Sequence, residues 1–145
     1  MGQVNAETSR DVAGEPEAVF AALADYAETR PKLLTDRFSD YEVREGGKGE
    51  GTLVHWRLQA TKKRSRDCLF AVTQPAEHTL VETDRNSTMV TTWSVVPAGT
   101  GRSRVTVTTR WEGAGGVGGF FEKTFAPSGL RKIYDDVLAR VDEVV

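Results

Sequence analysis

The sequence predicts an α+β fold in which a curved, seven-stranded antiparallel sheet grips a long C-terminal helix, with two short helices between strands 1 and 2. Two observations carry this prediction. Residues 38–111 form short segments rich in Val, Thr, Trp and Phe, separated by polar turns, as in an antiparallel meander. Residues 127–145 instead repeat apolar side chains every three or four positions, the pattern of an amphipathic helix. We expect this helix to lie across the concave face of the sheet.

The N-terminal elements follow from one alternating segment and two prolines. Residues 3–12 alternate in two phases, which predicts a half-buried strand, and Arg10 stands on its apolar phase. Pro16 then starts a helix, because the first helical turn needs no N–H from it. Arg30-Pro31 ends that helix, since the residue before a proline is pushed out of the helical region. A second, short helix is expected over Pro31–Leu34.

Six further strands are expected, and their alternation separates an inner face from an outer one. Their bounds are about 38–45, 51–60, 64–74, 79–85, 89–96 and 102–111. The side chains on the predicted inner face are Val54, Trp56, Leu58, Ala60, Arg66, Cys68, Phe70, Val72, Met89, Thr91, Trp93, Val95, Val105, Val107, Thr109 and Trp111. The opposite phases are largely polar, so the outer face meets water. The alternation in 79–85 leaves the direction of Glu82 open.

The last helix has two features that bear on the space beneath it. A Gly-rich stretch at 113–119 is interpreted as a hinge between the last strand and the helix. Pro127, followed by Gly129, predicts either a kink that bows the helix away from the sheet or a break between two shorter helices. Because one helix over a wide curved sheet fills the intervening space with difficulty, the arrangement favours an internal cavity.

Composition excludes several classes of function. The formal net charge of −2 argues against a protein that binds nucleic-acid backbone, which normally carries a basic stripe. No apolar run approaches the length of a membrane span, so no stable membrane insertion is expected. A single cysteine, Cys68, and an N-terminus without an apolar signal core predict a cytoplasmic protein. The whole chain, residues 1–145, is expected to form one domain, and nothing in the sequence indicates its oligomeric state.

Four stretches in this order resemble the START-like and birch-pollen-allergen-like helix-grip superfamily. They are VAGEPEAVF at 12–20, GEGTLVHW at 49–56, the late strands MVTTW at 89–93 and GRSRVTV at 101–107, and GGFF at 118–121 with Ala126-Pro127. The chain is most similar to the bacterial polyketide cyclase/dehydrase-type branch, also called SRPBCC proteins. The resemblance implies binding of hydrophobic ligands such as lipids, steroids or polyketides, and enzymatic activity in some members. It implies no catalytic residue, since the family has no invariant catalytic motif.

We therefore predict a small-molecule site between the sheet and the last helix. Its ligand would be a lipid, a polyketide or an aromatic metabolite, held by an apolar wall and a few polar contacts. The predicted ligand-binding residues are Trp56, Phe70, Val72, Trp93, Val107, Trp111, Phe121, Phe125, Tyr134, Arg10, Arg66 and Tyr26. Thr91 and Thr109 are further inward polar groups. An enclosed arginine would need a carboxylate partner or an anionic ligand, and Glu82 is a candidate partner.

The sequence gives little support for a catalytic site or a metal site. The two histidines, His55 and His78, are far apart and have no nearby cysteine, so no metal site is predicted. Cys68 lies in mid-strand on the apolar phase, where cysteine is usually a small hydrophobe. No cofactor is implied. Two alternatives remain beside ligand binding: a polyketide cyclase or dehydratase that uses the same cavity, with an Arg or Tyr stabilising an enolate, and a protein-interaction module.

Overall fold

The computed structural model of the protein describes residues 3–59, 65–112 and 127–144. The elements, in chain order, are β1 Gln3–Ala13, α1 Pro16–Ala24, α2 Arg30–Leu33, β2 Phe38–Glu45, β3 Leu53–Gln59, β4 Ser65–Ala76, β5 Thr79–Asp84, β6 Val90–Pro97, β7 Arg102–Glu112 and α3 Pro127–Val144. The predicted order of elements is confirmed, and the bounds differ from prediction by a few residues.

All seven strands belong to one antiparallel sheet. Its strand order is β1-β7-β6-β5-β4-β3-β2, so β2 to β7 form a meander and β1 pairs with the last strand. Short polar turns favour antiparallel neighbours, because parallel strands need a long crossover. The helix-grip fold predicted from the sequence is confirmed.

The alternation of side chains decides which face is inside. In β7, the buried side chains alternate with outer ones from Val105 to Trp111. In β5, the phase that the sequence left open is now fixed: Leu80, Glu82 and Asp84 are all buried. The outer face carries polar pairs such as Arg104 with Asp11, whose closest nitrogen and oxygen are 2.7 Å apart. The hydrophobic core therefore lies on the concave face.

Helix α3 is fastened to β1 and covers this core. Its buried face consists of Leu130, Ile133, Tyr134, Val137, Leu138 and Val141, as predicted. The Thr8 hydroxyl donates to the Asp135 carboxylate, and the backbone N–H of Ala13 donates to Asp142 at 3.0 Å. Most of the close backbone contacts of α3 are with β1 and α2. Side chains, rather than backbone, thus span the distance from α3 to the middle of the sheet.

The α1–α2 connection is held against the turn between β2 and β3. The N–H of Tyr26 donates to the carbonyl of Gly47 at 2.9 Å, and the N–H of Gly49 donates to the carbonyl of Ala24 at 2.9 Å. Gly46 has a φ of +69°, and a Cβ atom there would lie 2.9 Å from the Cα of Thr52. Only glycine fits this turn without strain. The result places Tyr26 and α2 at one end of the concave face.

Candidate functional site

A row of polar side chains crosses the centre of the otherwise apolar concave face. Glu82 of β5 pairs in register with Thr91 of β6, and Thr91 pairs with Thr109 of β7. All three are fully buried, and the two threonine hydroxyls are 2.9 Å apart and hydrogen bonded. Burial of a polar group is costly unless it is hydrogen bonded, so each of these groups needs a partner. The row gives the interior a polar centre.

Glu82 anchors a buried network that reaches α2. Its Oε2 accepts hydrogen bonds from Nη1 of Arg30 at 2.9 Å and from the hydroxyl of Tyr26 at 2.5 Å. Its Oε1 accepts from Nε1 of Trp93 at 3.1 Å. Three donors thus surround one carboxylate. Charge-assisted hydrogen bonds of this kind are about twice as strong as neutral ones.

Arg30 is enclosed as completely as its carboxylate partner. Its Nε donates to the carbonyl of Leu23 at 3.0 Å and its Nη2 to the hydroxyl of Tyr26 at 3.2 Å. The guanidinium carbon lies 4.4 Å from the ring centroid of Tyr26 and 4.7 Å from that of Trp93. Burial alone would lower the pKa of Arg30, but the charges of its partners outweigh it and the pKa is raised. The cation is therefore permanent.

The tyrosines around this network stay neutral. Burial, the largest cause, raises the pKa of Tyr26 well above its ordinary value, and the Glu82 charge adds to the effect. Burial likewise raises the pKa of Tyr134, which contacts Thr91, and that of Tyr41, whose hydroxyl donates to the Tyr26 carbonyl at 2.7 Å. These phenols act as hydrogen-bond donors rather than as bases. We call the set Arg30, Glu82, Tyr26 and Trp93 the Arg30 network.

A second group of aromatic side chains lies over β2, β3 and β4. Trp56 stacks on Tyr41 with ring centroids 5.9 Å apart and packs against Phe70 at 4.9 Å. Phe38 meets the edge of Trp56 at 6.0 Å and approaches Tyr134 at 6.5 Å. Tyr134 in turn meets Trp93 edge-on at 5.6 Å. Phe38 and Tyr134 thus connect these aromatics to the Arg30 network.

Two donors in this interior lack an acceptor. Within the described residues, the indole Nε1 of Trp56 and that of Trp111 are buried and have no hydrogen-bond partner. Both side chains are 1% exposed, so solvent does not reach the two groups from outside. A buried donor without an acceptor costs about 1–3 kcal/mol. The two donors contrast with Trp93, whose indole donates to Glu82.

The described part of the predicted lining is almost completely buried. Val72, Val107 and the aromatic side chains Trp56, Phe70, Trp93 and Trp111 are at most 2% exposed, and Tyr134 is 4% exposed. Within the described ranges, three tryptophans therefore point inward and contribute much of the apolar surface between sheet and helix.

Several other predicted site residues lie away from this centre. Arg10 is exposed, and its guanidinium is 3.8 Å from the Asp142 carboxylate of α3. Arg66 is half-buried near the start of β4 and donates to the Asn86 carbonyl at 3.4 Å. Phe121 and Phe125, the Gly-rich hinge at 113–119 and the segment leading into Pro127, on which the kink depends, lie outside the described residues. Tyr26 is brought into the centre, as a partner of Arg30 and Glu82.

Sequence reasoning missed Arg30 and left Glu82 open. Arg30 was interpreted only as the end of α1. It stands four residues after Tyr26 and seven after Leu23, and in a continuous helix these spacings would place all three side chains on one face. For Glu82, the signal was the hairpin itself, because Glu82 pairs with Thr91, whose inward phase was already clear. Register across a hairpin resolves a phase that alternation alone does not.

Comparison with known families now adds to this geometry. The sequence model of the family described as "Polyketide cyclase / dehydrase and lipid transport" matches residues 3–145, nearly the whole chain. The chain belongs to this family. Membership implies binding of hydrophobic ligands in general, and it agrees with a concave apolar face closed by a helix. A search of functionally curated proteins gives no significant match.

Solved structures place this family member among helix-grip proteins. The KanY protein, solved by NMR, is 53% identical, with a TM-score of 0.88 and coverage of 99% of this chain and 97% of that one. A START superfamily protein from Mycobacterium smegmatis is 17% identical, with a TM-score of 0.73 over 99% and 100% of the two chains. Ginseng major latex-like protein 151 from Panax ginseng is 11% identical, with a TM-score of 0.74 over 97% and 96%. The last two likenesses concern the fold.

Neither a metal site nor a membrane-spanning helix occurs in the described residues of this family member. Among residues 3–59, 65–112 and 127–144, no three His, Cys, Asp or Glu side chains converge as a metal site would require. In the same ranges, no helix combines the length and apolarity that crossing a bilayer demands.

Proposed function

We propose that this protein binds a hydrophobic small molecule, a lipid, a polyketide or an aromatic metabolite, between the concave face of the sheet and α3. The observation that carries the proposal is the apolar concave face beneath α3, with the buried hydroxyls of Thr91 and Thr109 near its centre. Ligand sites of this class are mostly apolar, with a few placed polar groups that fix the orientation of the ligand. Membership of a family described by polyketide chemistry and lipid transport supports the same conclusion.

Room for a ligand would come from separation of α3 from the middle of the sheet. The close backbone contacts of α3 are mostly with β1 and α2, so its distance from the central strands is bridged by side chains such as Tyr134. Rotation of a few large rings would create space without breaking the strand pairing. Side-chain rearrangement at a binding surface is common even where the backbone moves little.

The geometry gives less support to cyclase or dehydratase chemistry. A general base must be free to take a proton from the substrate. The Glu82 carboxylate already accepts three hydrogen bonds, and the Tyr26 hydroxyl is committed to it. The Arg30 network therefore fits a role in holding the interior together better than one in proton transfer. No specific observation supports the alternative that the protein is an interaction module for other proteins.

The direct test is native mass spectrometry of the protein purified from its own host. We expect a fraction carrying the extra mass of a small molecule, which organic extraction then releases and identifies. The same protein should bind Nile red, an uncharged apolar dye, with an increase in fluorescence. Only the bare protein mass, together with no dye binding, would overturn the proposal.

A matched pair of variants locates the site. Thr109→Val removes an inward hydroxyl and Thr108→Val removes a neighbouring hydroxyl that donates outside to Glu7 at 2.9 Å. Since a hydrogen bond contributes about 0.5–1.5 kcal/mol, Thr109→Val should weaken Nile red binding about 2- to 10-fold and Thr108→Val should not. Equal effects of the two would place the dye elsewhere. The cytoplasmic location and the single ligand-binding domain over 1–145 stay predictions.

A further inference from the structure

The two unpartnered indoles lie in an interior where the neighbouring polar side chains have named partners. Trp93, Tyr26 and Arg30 all donate to named acceptors, and the buried Asp84 accepts from the N–H of Leu69, the N–H of Asn86 and the hydroxyl of Ser87. Buried polar groups without partners are rare in native proteins, and each needs an explanation. An acceptor that is not part of the described chain is the simplest explanation for Trp56 and Trp111.

The register places both indoles toward the same end of the concave face. Trp56 pairs with Cys68, and two residues away Phe70 pairs with Asp84. The N–H of Asp84 donates to the carbonyl of Met89 at 3.0 Å, and the pairing of Val90 with Arg110 brings Met89 beside Trp111. The two donors therefore stand on opposite sides of the β5–β6 hairpin. β7 and β3 are four strand spacings apart, about 19 Å along the sheet, so an extended molecule with two oxygens would be needed to meet both donors and a smaller one would meet one of them.

The surrounding charges disfavour an anion as the natural acceptor. Arg30 is neutralised by Glu82, and Arg66, half-buried two residues from Cys68 on β4, donates to the Asn86 carbonyl. The carboxylate of Asp84 stands in the same register row as Phe70 and would repel an anion. An uncompensated charge in such surroundings costs several kcal/mol. A neutral oxygen, by contrast, satisfies an indole N–H without adding charge.

We propose that Trp56 and Trp111 donate hydrogen bonds from their indole N–H groups to carbonyl or hydroxyl oxygens of an uncharged, apolar ligand. This inference rests on the proposed function and names the ligand class: oxygenated, neutral hydrophobic molecules such as ketones and quinones, in preference to pure hydrocarbons and to carboxylates. The two tryptophans are thereby specificity-determining residues, and not only parts of an apolar wall.

Three probes of one shape test this class. They are fluorene, 9-fluorenone, which adds one carbonyl oxygen, and 9-fluorenone-4-carboxylate, which adds a charge. We expect 9-fluorenone to bind at least about 5-fold more tightly than either of the other two, the ratio that one hydrogen bond of about 1 kcal/mol gives. Equal affinity of fluorene and 9-fluorenone would overturn the inference and leave the proposed function intact. Failure of all three to bind would overturn the inference, while the proposed function would still be decided by native mass spectrometry and Nile red binding.

The indole resonances report the contact directly and need no variant. In ¹⁵N-labelled protein the three tryptophans give three Nε1–H signals, and Trp93, which already donates to Glu82, is the internal control. We expect 9-fluorenone to move the Trp56 or Trp111 proton signal downfield, in the direction of a new hydrogen bond, and fluorene to leave it unshifted in that direction. Identical shifts with both probes would contradict the inference.

Two substitutions then assign the donors. Trp56→Phe and Trp111→Phe keep an aromatic ring but remove the N–H. If the removed N–H binds the carbonyl, the substitution should reduce the preference for 9-fluorenone over fluorene about 5-fold. A preference that is unchanged in both variants, in protein that still shows dispersed amide spectra, would show that neither indole binds the oxygen. If a variant does not fold, the wild-type indole shifts decide.

Discussion

The two polar regions of the interior differ in how completely they are satisfied. In the Arg30 network, Glu82 accepts from Arg30, Tyr26 and Trp93. Beyond the Glu82 row, toward the C-terminal end of β7, the indoles of Trp56 and Trp111 have no partner among the described residues. A closed network fixes the arrangement of the elements that contribute to it, since breaking any one contact leaves a buried group unpaired. An open pair of donors leaves a place for an acceptor that is not among the described residues.

This contrast separates structural from functional polarity in one core. The Arg30 network joins α2 to the sheet through groups that are all occupied, so we assign it to stability. The unpaired Trp56 and Trp111 donors lower the stability of the folded state, so we propose that they serve recognition. Removal of one member at a time should therefore affect stability in the first region and ligand preference in the second.

The largest effect is expected from Arg30→Met, which keeps most of the volume and removes the charge. The fully buried Glu82 carboxylate would then lack its cation, and loss of one partner of a buried pair typically costs about 3–5 kcal/mol. Urea unfolding should show this as a lower midpoint. The double variant Arg30→Met with Glu82→Gln should recover much of the loss, since no buried charge remains.

An exposed pair provides the control for that experiment. Arg104 and Asp11 are joined at 2.7 Å on the outer face of the sheet, and the Arg104 side chain is 56% exposed. Arg104→Met should leave the unfolding midpoint nearly unchanged, because water screens such pairs. A loss as large as that of Arg30→Met, or a double variant no better than the single one, would contradict the role given to the Arg30 network.

Alkaline pH should lower the free energy of unfolding through groups in the same region. Burial raises the pKa of Tyr26, Tyr41 and Tyr134, all three tyrosines of the chain, above the value near 10 of the unfolded chain. The folded state therefore retains protons that the unfolded state loses, and the stability from these groups, complete below pH 10, falls as pH rises above it. Each such phenol contributes at most about 1.4 kcal/mol per pH unit.

Ultraviolet absorbance near the phenolate band checks this expectation. Phenolate should appear together with loss of the far-ultraviolet circular dichroism signal as pH rises above 10, and not before it. Titration of even one tyrosine with an ordinary pKa in the folded protein would show that the region is open to water. The buried Cys68 thiol, whose pKa is also raised by burial, should act in the same direction from a lower pH, near 9.

A smaller but sharper comparison uses two tryptophans. Trp93→Phe removes a donor from Glu82, whereas Trp56→Phe removes a donor that has no acceptor. Because the loss of a partner from a buried group costs about 1–3 kcal/mol, Trp93→Phe should be the more destabilising by about that amount. Urea unfolding of the two variants under one set of conditions measures the difference. Equal losses would indicate that the Trp56 indole has a structural partner.

Most of the fold was accessible from the sequence because it depends on local patterns. Alternation in β7 and the three- and four-residue spacing of α3 each identify one face, and Pro16 and Arg30-Pro31 bound the first helix. Such signals survive because one-sided burial allows only one phase. The order of elements and the inward tryptophans followed from these patterns alone.

The polar part of the interior was less accessible, since it depends on contacts between distant residues. Arg30 and Glu82 lie 52 positions apart, and the local sequence pattern at either position does not predict that the two side chains form an ion pair. Arg10, which did break a pattern, reaches Asp142 on the helix instead of the interior. Whether the large inward rings leave space depends on their packing, which no periodicity encodes.

The most direct test of the account is the position of a bound probe. Isotope-filtered nuclear Overhauser spectra of ¹³C-labelled protein with unlabelled 9-fluorenone should show contacts from the probe to Trp56, Phe70 or Trp111, inside the concave face. Contacts confined to Phe20, Ala21 and Lys48, in the surface groove beside α1, would contradict the central claim that the partly unsatisfied interior is the binding site.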